Sequence, residues 1–328
     1  MSANLPPAYF EADRKFRGAK SVPEKIAALQ EMTSATPKHK GTDHLRAELR
    51  SRMARLMADL AKPKTTGSGP QPFSLGKEGA GQAILIGLPN SGKSQLLASL
   101  TGAAAKVAAY PFTTQVPQPG MVRYQNVGIQ LVDTPAINDQ DMQTRLFSLL
   151  RNTDLLVAVA DLSVDAVRQM EELLAELDRW GYRLLGPGEE PDQHGSRVEK
   201  PALLVGSKAD APGGLDQWGR LEAAFASRLD TTMVSAWEDV GLDDLSEGMF
   251  LALGLVRVYT KAPGQAASYE SPIVLTRGSN VQDAAASLHK DWGRKLKYSL
   301  LWGSGKFDGQ RVGRDYVVSD GDVLEFHL

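Results

Sequence analysis

The chain has 328 residues, with 37 Lys and Arg against 39 Asp and Glu, a small net charge of −2 in the composition of an ordinary soluble protein. It contains no cysteine, which excludes disulfides, zinc–thiolate centres and cysteine nucleophiles. No apolar run approaches the ~18 residues needed to cross a bilayer, and Met1 to Phe10 lacks a basic start followed by an apolar core, so neither a membrane span nor a signal peptide is expected and the cytoplasm is the default compartment.

The N-terminal arm, residues 1–81, is basic. Between Arg14 and Lys64 there are 13 Lys or Arg and 5 Asp or Glu. Leu45, Leu49, Met53, Leu56 and Leu60 recur at helical spacing, which predicts an amphipathic helix over Thr42–Ala61 capped by Thr42 or Asp43. A shorter helix over Pro23–Met32 precedes it, and Pro37–Gly41 supplies the turn. Two readings stand for the basic face of this helical hairpin: a contact with RNA phosphates, or a solvated face on a helix packed against its own domain. Pro63–Gly81, rich in Pro, Gly, Ser and Thr, reads as a linker.

Residues 82–260 alternate strand and helix. The apolar run Ala83–Ile86 leads into Gly87-Leu88-Pro89-Asn90-Ser91-Gly92-Lys93-Ser94, and a helical pattern beginning at Gln95 follows. Strand, glycine-bounded loop, Lys-Ser and helix form the context of a P-loop, in which backbone N–H groups and the helix dipole converge on phosphate. Lys93 adds charge at the outer phosphates, and the Ser94 hydroxyl is placed for Mg²⁺. Met121–Tyr124 and Gly128–Val132 predict an antiparallel hairpin around Gln125-Asn126. Leu155–Ala160, Ala202–Val205 and Thr232–Val234 read as buried strands; Asp165–Trp180, Gln217–Ser227 and Leu242–Leu253 read as helices. The pattern is an α/β sheet with flanking helices and a ligand at the carboxyl ends of its strands.

Further signals fall at those strand ends. Asp133-Thr134-Pro135-Ala136 supplies a carboxylate for Mg²⁺, directly or through water. Ser207-Lys208-Ala209-Asp210 places Asp210 to accept two hydrogen bonds from guanine, a pair that adenine cannot offer. At Ser235-Ala236, next to Trp237, a backbone N–H can meet the guanine carbonyl oxygen. Tyr110-Pro111-Phe112-Thr113-Thr114 precedes the hairpin, and the Thr114 hydroxyl can complete the Mg²⁺ shell when a γ-phosphate is present. Each tetrapeptide is weak alone; their order and placement together are specific.

In that order the motifs resemble a translation-factor-class GTPase. YPFTT is similar to the first switch of the Obg superfamily, and Leu255–Lys261 with the following tail resembles the developmentally regulated GTP-binding (DRG) proteins, as does the Lys-rich N-terminal hairpin. The resemblance runs from about Pro23 to the C-terminus. It implies a P-loop GTPase with Mg²⁺, in which Lys93 and Thr114 act in catalysis, Ser94, Thr114 and Asp133 serve the metal, and residues 89–95, Asp133, Ala136, Ser207, Lys208, Asp210 and residues 235–237 hold the nucleotide. Two features depart from the family. The small domain that DRG proteins insert within the GTPase core has only Tyr182–Lys200 to occupy, a stretch that reads as a loop. Ala136 stands where the family has glycine, which reduces backbone freedom. In addition, Ser207 replaces the usual asparagine, which weakens the expected tie to the P-loop.

Ile137 stands where many GTPases place a water-orienting glutamine, and Pro89 crowds the entry of an arginine finger, so slow unaided hydrolysis is expected. Asn90 matches a P-loop asparagine that holds K⁺ in related families; alternatively it only shapes the turn.

Residues 271–328 read as a strand at Pro272–Leu275, a helix starting at Asn280 or Asp283, a strand at Tyr298–Trp302, strands at Val317-Val318 and Val323–Phe326, and a turn at Asp320–Asp322. This suits a β-grasp unit. Leu288–Asp291, Trp302-Gly303, Gly309–Gly313 and Asp320–Val323 closely resemble a TGS domain, implying a ligand- or RNA-binding module rather than an enzyme. Three functions follow as alternatives: a GTP/GDP switch on the ribosome or RNA, with a protein regulator; a nucleotide-gated protein-binding module with little turnover; and an ATP-hydrolysing relative, against which Asp210 argues. No membrane or DNA partner is indicated.

Overall fold

A computed structural model of the chain describes residues 6–18, 22–37, 42, 49, 52, 75–102, 116–137, 143–192 and 195–328. They divide into two compact units, Met1–Pro70 and Gln71–Leu328. The helix expected over Thr42–Ala61 lies outside the described residues except for Thr42, Leu49 and Arg52, and the Tyr110–Thr114 segment lies outside them entirely.

In the first unit, α1 (Pro7–Gly18) and α2 (Val22–Ala35) pack together. Ala12, Leu29, Met32 and Leu49 form their core, and Lys15 bridges to Glu31 at 2.8 Å. The helix expected at Pro23–Met32 is present and longer, whereas α1 is an element that the periodicity did not predict.

The second unit holds two sheets. The first runs β2 (Gln118–Tyr124), β3 (Val127–Asp133), β1 (Gln82–Ile86), β4 (Leu155–Asp161) and β6 (Val198–Ser207), with β5 (Tyr182–Leu185) against the first half of β6 and β7 (Asp230–Met233) against its second half. All pairs are parallel except β2–β3. Every residue of β1 and β4 is buried, as strands covered on both faces require. The helices are α3 (Lys93–Thr101), α4 (Gln143–Asn152), α5 (Ala166–Arg179), α6 (Gly214–Phe225) and α7 (Leu242–Ala252). In α5 the buried residues Ala166, Met170, Leu173 and Leu177 recur at helical spacing, and the Asp165 carboxylate caps the helix by accepting from the Arg168 N–H at 3.1 Å. Since β1, β3, β4, β6 and β7 are mutually parallel, their carboxyl ends line one edge, where the motifs lie.

Two expectations are corrected here. Tyr182–Leu185, taken as loop, is a strand, because Val198–Pro201 extends β6 beyond its apolar run and offers an edge to pair with. Residues 79–81, taken as linker, are tied to the sheet: Gly79 bridges Ile129, and Ala80 donates to the Gly128 carbonyl at 2.8 Å. Gly79 has φ +71°, and a Cβ there would stand 2.4 Å from that carbonyl oxygen, so this glycine serves close approach rather than flexibility.

The second sheet runs β11 (Gln310–Val312), β10 (Tyr298–Trp302), β12 (Asp322–His327), β8 (Leu255–Thr260) and β9 (Ser268–Thr276). Strand β8, assigned from sequence to the 82–260 domain, belongs to this sheet, parallel to β12 and antiparallel to β9. Helix α8 (Val281–Leu288), with an Asn280–Asp283 capping box, lays Val281, Ala284 and Ala285 on Val258, Leu301 and Leu324. A short α9 (Lys290–Lys295) follows. Val317-Val318 is not a strand: Val317 makes a single bridge to Asn280 and is 55% exposed.

The tip of the β2–β3 hairpin reaches the second sheet. Asn126 Nδ2 donates to the Tyr259 hydroxyl at 3.1 Å and to the Tyr269 carbonyl at 2.9 Å. Arg257 donates to Gln125 and forms a two-pronged pair with Asp320, at 2.6 and 2.9 Å, beneath the rings of Tyr124 and Phe250. Hydrogen bonding to Arg257 holds the Asp320 carboxyl below its ordinary value. A depressed carboxylate stabilises the fold above its unfolded value, and that contribution is lost as pH falls through the folded one. Arg257→Ala is therefore expected to destabilise the unit by roughly 1–2 kcal/mol at neutral pH, part of the pair's worth being screened by solvent. The deficit should shrink in acid, read as the difference in thermal midpoints between pH 7 and the acid limit of folding.

Candidate nucleotide site

The loop between β1 and α3 is shaped by backbone constraints. Gly87 is buried, and a Cβ there would lie 2.6 Å from the Val159 carbonyl oxygen. Asn90 and Gly92 both take positive φ, +63° and +87°, the left-handed conformation that Asn tolerates and Gly favours. Asn90 is exposed, Pro89 and Gln95 are half-buried, and Ser91 is buried. The loop wraps the Lys93 ammonium, which is 7% exposed and donates to the carbonyls of Gly87 (3.1 Å) and Leu88 (2.9 Å) and to Ser91 Oγ (3.3 Å). Burial lowers its pKa to about 8, and the nearby Asp133 opposes that shift.

At the end of β3, Asp133 is buried, and its Oδ2 accepts from the Ser94 hydroxyl at 2.5 Å. Thr134, next in the motif, donates to the Leu85 carbonyl at 2.7 Å and so ties the end of β3 to β1. Ser94 and Asp133 bring two hard oxygen donors together from a helix start and a strand end. Mg²⁺ prefers such a pair, completing its octahedron with water and phosphate. The donor set therefore fits that ion. Ala136 is buried, and Ile137 is 1% exposed within the sheet's core cluster. Ile137 therefore serves packing, and its side chain is committed to the interior.

At the end of β6, the Ser207 hydroxyl donates to the Ser91 carbonyl at 2.6 Å. The tie between this motif and the P-loop, expected to be weak, is made by the serine itself. Lys208, at φ +59°, pairs with Asp161 at the end of β4 at 2.5 Å. Asp161 escaped the sequence reading; the available signal was an acid closing an apolar strand at the same edge. Asp210 is exposed at the site's mouth, and its Oδ1 accepts from Ser235 Oγ at 2.6 Å. The buried Ser235 hydroxyl also accepts from the Glu238 N–H at 3.1 Å, so Ser235 links the two base motifs. The Ala236 carbonyl accepts from Ser99 Oγ at 3.0 Å, and Trp237 is 84% exposed. Thr114 lies outside the described residues. The remaining predicted residues fall along one edge of the first sheet.

The family described as 50S ribosome-binding GTPase matches residues 82–185, and the TGS domain family matches residues 256–328. An uncharacterized GTP-binding protein of Methanocaldococcus jannaschii is 27% identical over 369 residues, covering 92% of each chain. Developmentally-regulated GTP-binding protein 1 of Xenopus laevis is 28% identical over 361 residues, covering 92% of this chain and 97% of its own. Both alignments are longer than this 328-residue chain, so the relatives carry residues that it lacks. Among solved structures, Era in complex with MgGDPNP and nucleotides 1506-1542 of 16S ribosomal RNA aligns over 67% of this chain and 70% of its own at 19% identity, with a TM-score of 0.42.

Proposed function

We propose that this chain, a homologue of the developmentally regulated GTP-binding proteins that joins a GTPase-family domain to a TGS domain, binds GTP with Mg²⁺ and hydrolyses it slowly to GDP and phosphate as a switch acting on the ribosome or RNA. The observation that carries this reading is the meeting of Ser94 and Asp133 beside the P-loop lysine. Bound Mg²⁺ would neutralise the β- and γ-phosphate oxygens. The chain's own residues do the rest. Backbone N–H groups of residues 90–94 cradle the phosphates, and Lys93 turns from loop carbonyls to phosphate oxygens. Asp210, oriented by Ser235, selects guanine. Thr114 would offer its hydroxyl to the metal when a γ-phosphate is present.

Slow turnover follows from Ile137. With its side chain committed to the core, no polar group at that position orients the attacking water. Multiple-turnover phosphate release is expected to be slow for the chain alone and faster with ribosomes; a rate indifferent to ribosomes would favour the alternative, a nucleotide-gated binding module. GTP is expected to outcompete ATP, and equal competition would remove the guanine assignment.

Asn90 supports a second expectation. Asn90 is exposed in the loop at φ +63°, and its side-chain oxygen would be a ligand for K⁺. Hydrolysis should run faster in K⁺ than in Na⁺ at matched ionic strength, and Asn90→Ala should abolish the difference. Equal rates in the two salts would leave Asn90 a turn residue only.

A further inference from the structure

Strand β4 ends on an acid. Asp161 closes the buried run Leu155–Ala160 at the carboxyl edge of the first sheet and is itself 7% exposed. Its two oxygens have separate partners. Oδ1 accepts from the Ser163 N–H at 2.8 Å and from Ser163 Oγ at 2.6 Å, whereas Oδ2 faces the Lys208 ammonium at 2.5 Å. The backbone beneath is fixed as well. The Gln169 side chain, on α5, accepts from the Asp161 N–H at 3.2 Å and donates to the Asp161 carbonyl at 3.0 Å. β6 runs alongside with Ser207 opposite Asp161, and the Leu162 N–H donates to the Ser207 carbonyl at 2.9 Å. Lys208 then leaves the strand at φ +59°, and the Ala209 N–H donates to the Val234 carbonyl at 3.1 Å. The lysine stem passes the phosphate loop: a Cβ on Gly92 would stand 3.9 Å from Lys208 Cε. Lys208 therefore lies along the P-loop with its tip held by Asp161, and Asp210 follows two residues later.

We propose that Asp161 is a positioning residue of the guanine site and that it acts through Lys208. The inference rests on the nucleotide reading above and adds a residue to it. A base whose edge meets Asp210 lies close to Lys208, and the lysine methylenes offer apolar surface on which a purine face can rest. A lysine side chain is among the costliest to immobilise, because it has many rotamers to lose. The ion pair orders Lys208 before the nucleotide arrives, so binding does not bear that cost. Both oxygens of Asp161 are engaged by the protein, so its route to the ligand runs through the lysine. Charge alone gives the opposite expectation. An acid near a diphosphate repels it, and its removal would tighten binding if repulsion were its whole effect. Positioning predicts weakening, so the two accounts differ in sign.

A double-mutant cycle on the full chain tests this. Asp161→Asn keeps an acceptor for Ser163 and loses the charge that holds Lys208. Lys208→Met keeps a stem of similar length and loses the ammonium. Calorimetry reads GDP affinity in Mg²⁺ for the parent, each single variant and the double variant. Asp161→Asn should weaken GDP binding roughly 2- to 12-fold in the parent background. In the Lys208→Met background, where no ammonium remains to be held, the same change should leave affinity unchanged or slightly tighter. Equal weakening in both backgrounds would make Asp161 a support that acts independently of the lysine. Tightening in both would reduce it to a charge. Either pattern, or no change in the parent background, overturns the inference. The thermal midpoint of the nucleotide-free chain separates a melted variant from a mispositioned one. The Lys208 side chain is 38% exposed and can turn to water, so Asp161→Asn should lower that midpoint little. Asp161→Ser, which also removes the charge, repeats the cycle should the amide variant melt early. A parent chain that binds no GDP removes the nucleotide reading and this inference together, whereas a parent that binds GDP and gives an overturning pattern removes the inference alone.

Discussion

Asp210→Asn is expected to weaken GDP binding by at least about 100-fold, near 3 kcal/mol, and to create affinity for xanthosine diphosphate. In the proposed guanine contact, the carboxylate would accept from both the N1 and the N2 groups. An amide keeps one acceptor and replaces the other with a donor. Ser235 decides which end is which: its hydroxyl donates to Oδ1 at 2.6 Å, so the amide oxygen stays there and the NH₂ group takes the outer position. Xanthine offers N1–H to the oxygen and a C2 carbonyl to the NH₂ group, and the pairing is restored. Calorimetry with both nucleotides in Mg²⁺ reads the exchange. Unchanged GDP affinity would mean that this acid does not touch the base. Ser235→Ala should blur the discrimination by releasing the amide to flip, a smaller effect measured in the same titration.

Lys93→Met is expected to raise the thermal midpoint of the nucleotide-free chain while abolishing the upward shift that GDP produces. The lysine is held in a nearly closed loop, and burial lowers its pKa from 10.5 to about 8. The sign follows from that direction. Below pH 8 the folded state carries a charge that burial disfavours, so the group costs stability throughout the neutral range. The cost is relieved as pH rises from about 8 to 10.5. A depression of that size corresponds to roughly 3–3.5 kcal/mol, which in a unit of this length is several degrees. Part of the gain is offset because the carbonyls of Gly87 and Leu88 lose their donor. A variant less stable than the parent without nucleotide would show that those hydrogen bonds outweigh the desolvation.

The same lowered value predicts proton linkage in binding. At pH 7 Lys93 is already charged, and phosphate binding takes up no proton at this site. Above pH 8 the free protein must gain a proton to bind, so apparent affinity should fall with rising pH, and calorimetry in buffers of different ionisation heat should detect the uptake. Affinity flat from pH 7 to 9 would count against a phosphate contact at Lys93. Both experiments test whether the cost of burying the Lys93 charge is offset by a bound phosphate.

What the amino-acid sequence determined by itself was local. Gly87–Ser94 reads as a phosphate loop because a buried run, two glycines and a Lys-Ser pair constrain one short turn whatever surrounds it. Leu155–Ala160 and Ala202–Val205 read as central strands because burial on both faces leaves no polar alternation, and Gln125-Asn126 reads as a hairpin turn because the flanking runs match. The tertiary structure decided whatever depended on distant partners. Tyr182–Leu185 is a strand only because the start of β6 lies beside it, and Leu255–Thr260 joins the second sheet because β12, far along the chain, supplies its parallel neighbour. Ile137 turned out to face the core, Ser207 to hold the P-loop, and Asp161 to pair with Lys208. Those three contacts join residues from separate strand ends, and no spacing along a chain encodes which side chains meet once parallel strands bring their ends to one edge.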